Sequence, residues 1–340
     1  MKVCVLYDPS FDPIPSSYFI DDHEWDVVNV EAPAFDFLLE LSRRKQYDVY
    51  FNFCDGSLDE DRPGLDVVAA LEALNLPFTG ADSRFYCPTR EQMQSVAEIQ
   101  GVGFARGFHA RSLRDLTDAK KLRYPLMVKH PNSYGSEGMT RESRVETPQQ
   151  LRVQAERMLE CYGGARVEEF IDGLEFTCLV VDNPEDLASP FVYPPGMVAF
   201  PKGETFLHTD TKWVNLARIK RVRDKALASR IQDLSRKLYI GLGGTGYGRV
   251  DIRMNAEGEL FALEINPNCA ILYRLVDQGP ADIPITYDPD GHRGFFDRIF
   301  RSAILRQQMR IPIVPPRRAR VLVEKNRPQR NAKVEKPLRG

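Results

Sequence analysis

The chain has 340 residues, of which 43% are hydrophobic and 28% charged, and its formal net charge is −2. That is too long for one small domain and suits two or three, each with apolar material for a core. The balanced charge argues against a globally basic nucleic-acid binder. No apolar run reaches the roughly 20 residues of a membrane span, and the opening MKVCVLYD turns polar too soon for a signal peptide.

In chain order, KVCVLYD is a short β-rich apolar run and predicts a first buried strand. A helix is expected over 33–45, and YDVYFNFCDG then predicts a second strand and a turn. GLDVVAALEALNLPFTG reads as an amphipathic helix closed by a turn at Pro77 and Gly80. Strand–helix–strand–helix order predicts an α/β layer with a parallel sheet, running to about residue 87. No glycine-rich dinucleotide fingerprint follows its first strand, which disfavours a nicotinamide site.

A helix over 89–100 opens the next part. YPLMVKHPNSYGSEGM predicts a strand ending at Lys129 and then a loop with Gly135 and Gly138. ARVEEFIDGLEFTCLVVDN predicts two strands joined at Asp172 and Gly173. A helix near 224–240 leads to a hairpin, GYGRVDIRMNAEGELFALEINPN, whose turn is NAEGE. GFFDRIFRSAILRQQM predicts a final amphipathic helix. From Ile311 the chain is rich in Pro, Arg and Lys and reads as a basic, disordered tail over 311–340. The six cysteines (Cys4, Cys54, Cys87, Cys161, Cys178, Cys269) form no CxxC pair. Scattered in this way they predict free thiols rather than a zinc site, with the cytoplasm as the expected compartment.

The hairpin carries the strongest chemical signal. Residues i and i+2 of a strand share a face. Arg249 and Asp251 therefore point one way on the first strand, and Glu264 and Asn266 do so on the second. Paired around the turn, the four would meet on one face. Asp251, Glu264 and Asn266 offer hard oxygen ligands in small number, which suits magnesium sharing its shell with phosphates and water. Arg249 beside them suits a developing oxyanion. The same residues, taken alone, also suit an exposed, salt-bridged hairpin.

Lys129 at the end of an apolar strand, with Ser136 in the loop after it, makes a phosphate grip; an ordinary edge lysine reads the same way. Glu168, Glu169 and Glu175 in VEEFIDGLEF could accept ribose hydroxyls at a strand end, or be solvated there. GLGGTGYG lacks GK[ST] and follows a helix, so it reads as a helix C-cap and turn.

Over roughly residues 45–310, these pieces in this order resemble the ATP-grasp superfamily, and within it the D-alanine–D-alanine ligase type. NFCDGSLDEDRPG followed by LEALNLPFTG is close to the family's own pattern. The resemblance implies an N-terminal α/β domain over 1–87, then central (88–173) and C-terminal (174–310) α+β subdomains that sandwich ATP. It implies that Lys129, Arg90 and the loop around Ser136 contact phosphates. Glu168, Glu169, Phe170 and Ile171 would form the adenine hinge, and Glu175 would bind ribose. Asp251, Glu264 and Asn266 would bind Mg²⁺, or Mn²⁺ in its place. Arg249, Glu60 and Lys212 (in TDTKWVN) would act at the reacting groups, Lys212 from a loop over the nucleotide.

The implied reaction is amide or peptide bond formation through an acyl phosphate, between a small-molecule carboxylate and an amine. Neither nucleic acid nor membrane enters, and a homodimer is compatible. Arg90 stands where the family has a lysine, and Asp55 where it has a histidine. LYDPSFDPIPSSY and NCAILYRLVDQG replace the segments that hold the two D-alanines. Substrates other than two D-alanines are therefore expected. The alternatives are a non-catalytic ATP-binding protein of the same fold, a phosphotransferase that stops before the amide step, and D-alanine–D-alanine ligase proper.

Overall fold

The computed structural model describes residues 1–8, 22–56, 60–132, 136–213, 217–267, 269, 271–273 and 278–310, without the side chains of 212 and 213. Pro9 to Tyr18 of the first-strand loop, the glycine at 135, Arg274 and the tail over 311–340 lie outside them.

The first sheet is parallel. Strand β1 (Lys2–Tyr7) lies between β2 (Glu24–Asn29) and β3 (Val49–Asn52). Val3 to Leu6 are fully buried because the strand is covered on both faces. Helix α1 (Ala34–Arg44) falls within one residue of expectation at each end. Helix α2 (Leu65–Ala73) packs on α1. Strand β2 was not foreseen. It is a half-buried edge strand, and EWDVVN mixes acids and apolar groups without clean alternation. Helix α3 (Arg90–Ile99) starts on a capping box in which Thr89 and Gln92 satisfy each other's backbone N–H groups.

The second sheet is antiparallel, in the order β4-β7-β5-β6. Its strands are β4 (Gly107–Ala110), β5 (Leu126–Lys129), β6 (Arg144–Val145) and, after helix α4 (Pro148–Tyr162), β7 (Ala165–Glu169). Thr147, Pro148 and a left-handed Gly163 fix the two ends of α4.

The chain then changes sheets. Strand β8 (Leu174–Val181) pairs not with β7 but with β12 of a third sheet, so 170–173 is a crossover rather than a hairpin turn. That sheet also holds β9 (Phe191–Val192), β10 (Gly196–Ala199) and, after the short helix α5 (Thr209–Trp213), β11 (Arg218–Arg221). Helix α6 (Lys225–Gly241), capped by Asp224, precedes the expected hairpin of β12 (Tyr247–Met254) and β13 (Leu260–Pro267). The glycines before β12 serve the end of α6. At Gly246, with φ +67°, a Cβ would sit 2.1 Å from the Gly80 carbonyl oxygen. Helices α7 (Asp282–Thr286) and α8 (Gly291–Met309) complete the described fold.

Two apolar cores fix this third sheet. Phe176, Cys178, Val180, Val250, Ile252 and Ile265 pack with Ile231 and Leu238 of α6. Leu179, Val181 and Tyr247 pack with Phe295, Phe296 and Phe300 of α8. All six cysteines are free, and no helix among the described residues is long and apolar enough to cross a membrane.

Candidate active site

A cleft of about 1260 Å³ lies between the second and third sheets and reaches the first. A single small ligand occupies roughly 300–1,000 Å³, so this volume suits a nucleotide together with a further substrate. Its lining includes Glu60, Arg90, Lys129, Ser136, Glu168, Glu169, Phe170, Ile171, Glu175, Arg249, Asp251, Glu264 and Asn266. Every site residue singled out from the sequence is there except Lys212. The backbone of Lys212 is in α5, and its side chain is outside the described residues.

The hairpin register brings its four polar residues together. Arg249 lies opposite Asn266, and Asp251 lies opposite Glu264. Arg249 grips Asp251 through Nε at 2.9 Å and Nη2 at 2.8 Å, the bidentate geometry that a guanidinium favours. Arg90 reaches Glu264 from α3 at 2.5 Å. Lys129 pairs with Glu168, and Arg166 Nε donates to the same carboxylate at 3.3 Å.

These pairs set the protonation states. Burial would raise the Glu264 carboxyl, but Arg90 and Lys129 outweigh it and hold the group well below the usual carboxylate range. Burial opposes ionisation of Glu168 too, and Lys129, Arg166 and Arg90 overcome it. Burial would lower the Arg249 guanidinium, and Asp251 keeps it above its ordinary value. Glu175 goes the other way. Burial pushes it up to about 7, with Arg253 opposing and the nearby charges of Asp251 and Glu264 adding to the rise.

Among the described residues no group of three His, Cys, Asp or Glu side chains could hold a metal. The hairpin offers two carboxylates and an amide. That donor set fits a hard divalent cation which takes its remaining ligands from phosphates and water.

The crossover is fixed from both sides. The Phe170 N–H donates to the Pro125 carbonyl at 3.0 Å. The guanidinium groups of Arg253 and Arg144 lie 4.7 Å and 4.9 Å from the centre of the Phe170 ring. Arg253 also donates to the carbonyls of Gly173 at 2.9 Å and Thr205 at 2.7 Å, and lies 3.8 Å from Glu175. Met127, Phe170 and Phe206 form an apolar patch here. The Glu169 carboxylate accepts from the Arg123 backbone N–H at 3.0 Å, and the Glu169 N–H donates to the Arg106 carbonyl at 2.8 Å, so both are already engaged.

At the N-terminal end of the cleft, Arg62 binds three carboxylates: Asp8 at 2.8 Å, Glu60 at 2.9 Å and Asp55 at 3.1 Å. Burial raises the Asp55 carboxyl against the opposing charge of Arg62. Arg62, Arg253 and Thr177 were missed from the sequence. The period-2 signal that found Asp251 and Glu175 also points to Arg253 and Thr177, two residues further along each strand. No comparable signal marks Arg62, whose partner Asp8 is 54 residues away.

Comparison with known proteins agrees with this geometry. The family model for the D-ala D-ala ligase C-terminus matches residues 105–271, which include Lys129 and the whole hairpin site. D-alanine–D-alanine ligase B of Chromobacterium violaceum is 27% identical over 244 residues, covering 70% of this chain and 76% of that protein. An uncharacterized protein of Sinorhizobium fredii is 27% identical over 224 residues, 64% of each chain. Among solved structures, the D-alanine–D-alanine ligase of Bacillus anthracis complexed with ATP superposes with a TM-score of 0.68 at 18% identity, over 91% of this chain and 98% of that one. The Coxiella burnetii ligase gives 0.68 at 17%, over 91% and 95%. A D-Ala:D-Ser ligase of Enterococcus faecalis gives 0.59 at 16%, over 90% and 98%. With Lys129, the crossover and the polar hairpin in family order, the chain is similar to the D-alanine–D-alanine ligases over most of its length and has their ATP-grasp fold.

Proposed function

We propose that this protein joins a carboxylate to an amine through an acyl phosphate, and that its substrates are not a pair of D-alanines. The observation that carries the reading is the register of β12 and β13. It sets Arg249, Asp251, Glu264 and Asn266 side by side in a cleft that Lys129 and Arg90 also line.

In this reading the nucleobase lies against Met127, Phe170 and Phe206, and Glu175 accepts the ribose hydroxyls. Lys129, Arg90 and the loop at Ser136 hold the phosphates, and Lys212 closes over them from α5. Asp251, Glu264 and Asn266 would hold Mg²⁺ or Mn²⁺, which when bound offsets phosphate charge. The substrate carboxylate oxygen attacks the γ-phosphorus and ADP leaves. The amine then attacks the acyl carbon, Arg249 stabilises the tetrahedral oxyanion, and phosphate leaves. The protein's part is positioning and electrostatics. Glu60 lies at the end of the cleft where the non-nucleotide substrate would enter. Small-molecule partners, a cytoplasmic location and a homodimer go with this reading.

The argument against D-alanine concerns the ammonium it must bury, which needs a fixed carboxylate partner. Asp8, the acid at the end of β1, is 2% exposed and bound to Arg62. A second reading, D-alanine–D-alanine ligase proper, is favoured by the name of the Chromobacterium relative.

The test combines phosphate release with mass spectrometry over a panel of amino acids and small amines, with Mg-ATP. We expect a new amide from some other pair. The D-alanine dipeptide should form slower by a factor of about 100 or more, the usual cost of an unmet buried charge. Dipeptide formed at about one turnover per second, an ordinary enzyme rate, would restore the second reading. Phosphate without an amide would mean a phosphotransferase, and neither product a nucleotide binder.

A further inference from the structure

The third sheet presents a grid of polar side chains to the cleft. Glu175 faces Arg253 across β8 and β12, Thr177 faces Asp251, and Asp251 faces Glu264 on β13. Each carboxylate in this grid has a cation beside it. The Thr177 hydroxyl differs. The residue is 2% exposed and lines the cleft, yet its Oγ1 has no hydrogen-bond partner among the described residues. Next to it, Arg253 Nε is buried in the same condition.

A buried hydroxyl left unpaired destabilises a fold. Valine has the same shape, suits a strand equally well and carries no such cost. A threonine here is therefore accounted for by a partner that arrives with a ligand. Its position says which part of the ligand. Glu175 is two residues back on the same face, about 7 Å away by strand geometry. Asp251 is directly opposite, about 5 Å away. The hydroxyl thus lies between the acid assigned to ribose and the first ligand assigned to the cation.

We propose that Thr177 contacts the bound nucleotide, its hydroxyl donating to a phosphate oxygen at the ribose–phosphate junction. The inference rests on the ATP reading above and adds a residue to it.

The test is calorimetric binding of Mg-ATP to wild type, Thr177→Val and Thr177→Ser, with thermal unfolding of each in the absence of nucleotide. Losing a hydrogen bond to a charged oxygen should weaken Thr177→Val binding about tenfold or more. Its unfolding temperature should be equal or higher, because the orphan hydroxyl has gone. Thr177→Ser should bind within about threefold of wild type, since the donor is kept. Thr177→Val binding within twofold of wild type would overturn the proposal. So would a lowered unfolding temperature in Thr177→Val that serine restores without any change in nucleotide affinity, which would make the hydroxyl structural. A wild type that binds no Mg-ATP would sink the ATP reading itself, and this contact with it.

Discussion

The floor of the cleft and its N-terminal wall handle charge differently. On the floor every acid has its own cation: Asp251 has Arg249, Glu264 has Arg90, Glu168 has Lys129, and Glu175 has Arg253. On the wall one guanidinium, Arg62, is shared by Asp8, Asp55 and Glu60. Matched pairs can exchange partners when an anionic nucleotide and a cation enter together, because the swap leaves no buried charge alone. On the wall the acids are tied to one another through Arg62, so an incoming ligand meets carboxylates that are already engaged. The difference teaches that the floor can trade partners with an entering ligand, whereas the wall is held together by a shared charge. It also marks where each can be broken.

The largest effect should come from the floor. Glu264→Gln keeps the shape and removes one charge from the set proposed to hold the cation. We expect turnover to fall at least about 100-fold, on the order of 3 kcal/mol in the barrier, with the far-ultraviolet spectrum unchanged. Steady-state phosphate release over a range of Mg²⁺ concentrations measures it. Turnover at the wild-type rate would take the cation off the hairpin and leave only a salt-bridged surface.

The wall should respond in stability rather than in nucleotide affinity. Arg62→Met removes the base from a carboxylate, Asp8, that is almost wholly buried. Breaking a buried pair by deleting one partner costs about 3–5 kcal/mol. Arg62 is itself partly exposed, at 20% of its side chain, so we expect less than that, about 2–3 kcal/mol by urea unfolding. Mg-ATP affinity should stay within about twofold of wild type. A loss of ATP affinity equal to that of a floor variant would erase the distinction between the two regions.

The same division separates what could be read from the sequence. The floor was legible because it is local. A turn of five residues, two strands and a period of two place Arg249, Asp251, Glu264 and Asn266 on one face without knowledge of anything else. Helices α1, α3 and α6 were legible because their apolar spacing is local, and α3 and α6 also carry a side-chain cap at Thr89 and Asp224. The wall was not legible, because Asp8 meets Arg62 only after β1 and the loop following β3 have been packed side by side. The change of sheet between β7 and β8 was hidden for a related reason. FIDG reads equally as a hairpin turn and as a crossover, and only the partners of β8 decide. Asp8 shows the limit from the other side, since a sequence reveals an acid at a strand end but not the guanidinium that has already claimed it.

The smallest effect tests the floor pair that is least settled electrically. Arg253 is 3.8 Å from Glu175, too far for a tight ion pair, and burial wins, raising the Glu175 carboxyl to about 7 from an ordinary 4.5. The sign of the consequence follows from linkage. Between those two values the folded protein holds a proton that the unfolded chain has released. Stability from this group is therefore present below about 4.5, falls as pH rises towards 7, and is level above that. Other carboxylates have their own pH dependence, but it is common to wild type and Glu175→Gln and cancels in the difference. Glu175→Gln should therefore gain on wild type across that window, by about 1–3 kcal/mol in total. Urea unfolding of both proteins at pH 5, 6, 7 and 8 measures it. Nucleotide binding should move in the opposite sense. Ribose hydroxyls donate to the ionised acid, so wild-type affinity for Mg-ATP should fall below pH 7 more steeply than that of Glu175→Gln. A stability difference that stays flat from pH 5 to pH 8 would show that Arg253 compensates Glu175 as fully as Arg249 does Asp251, and the floor would then be matched at every position.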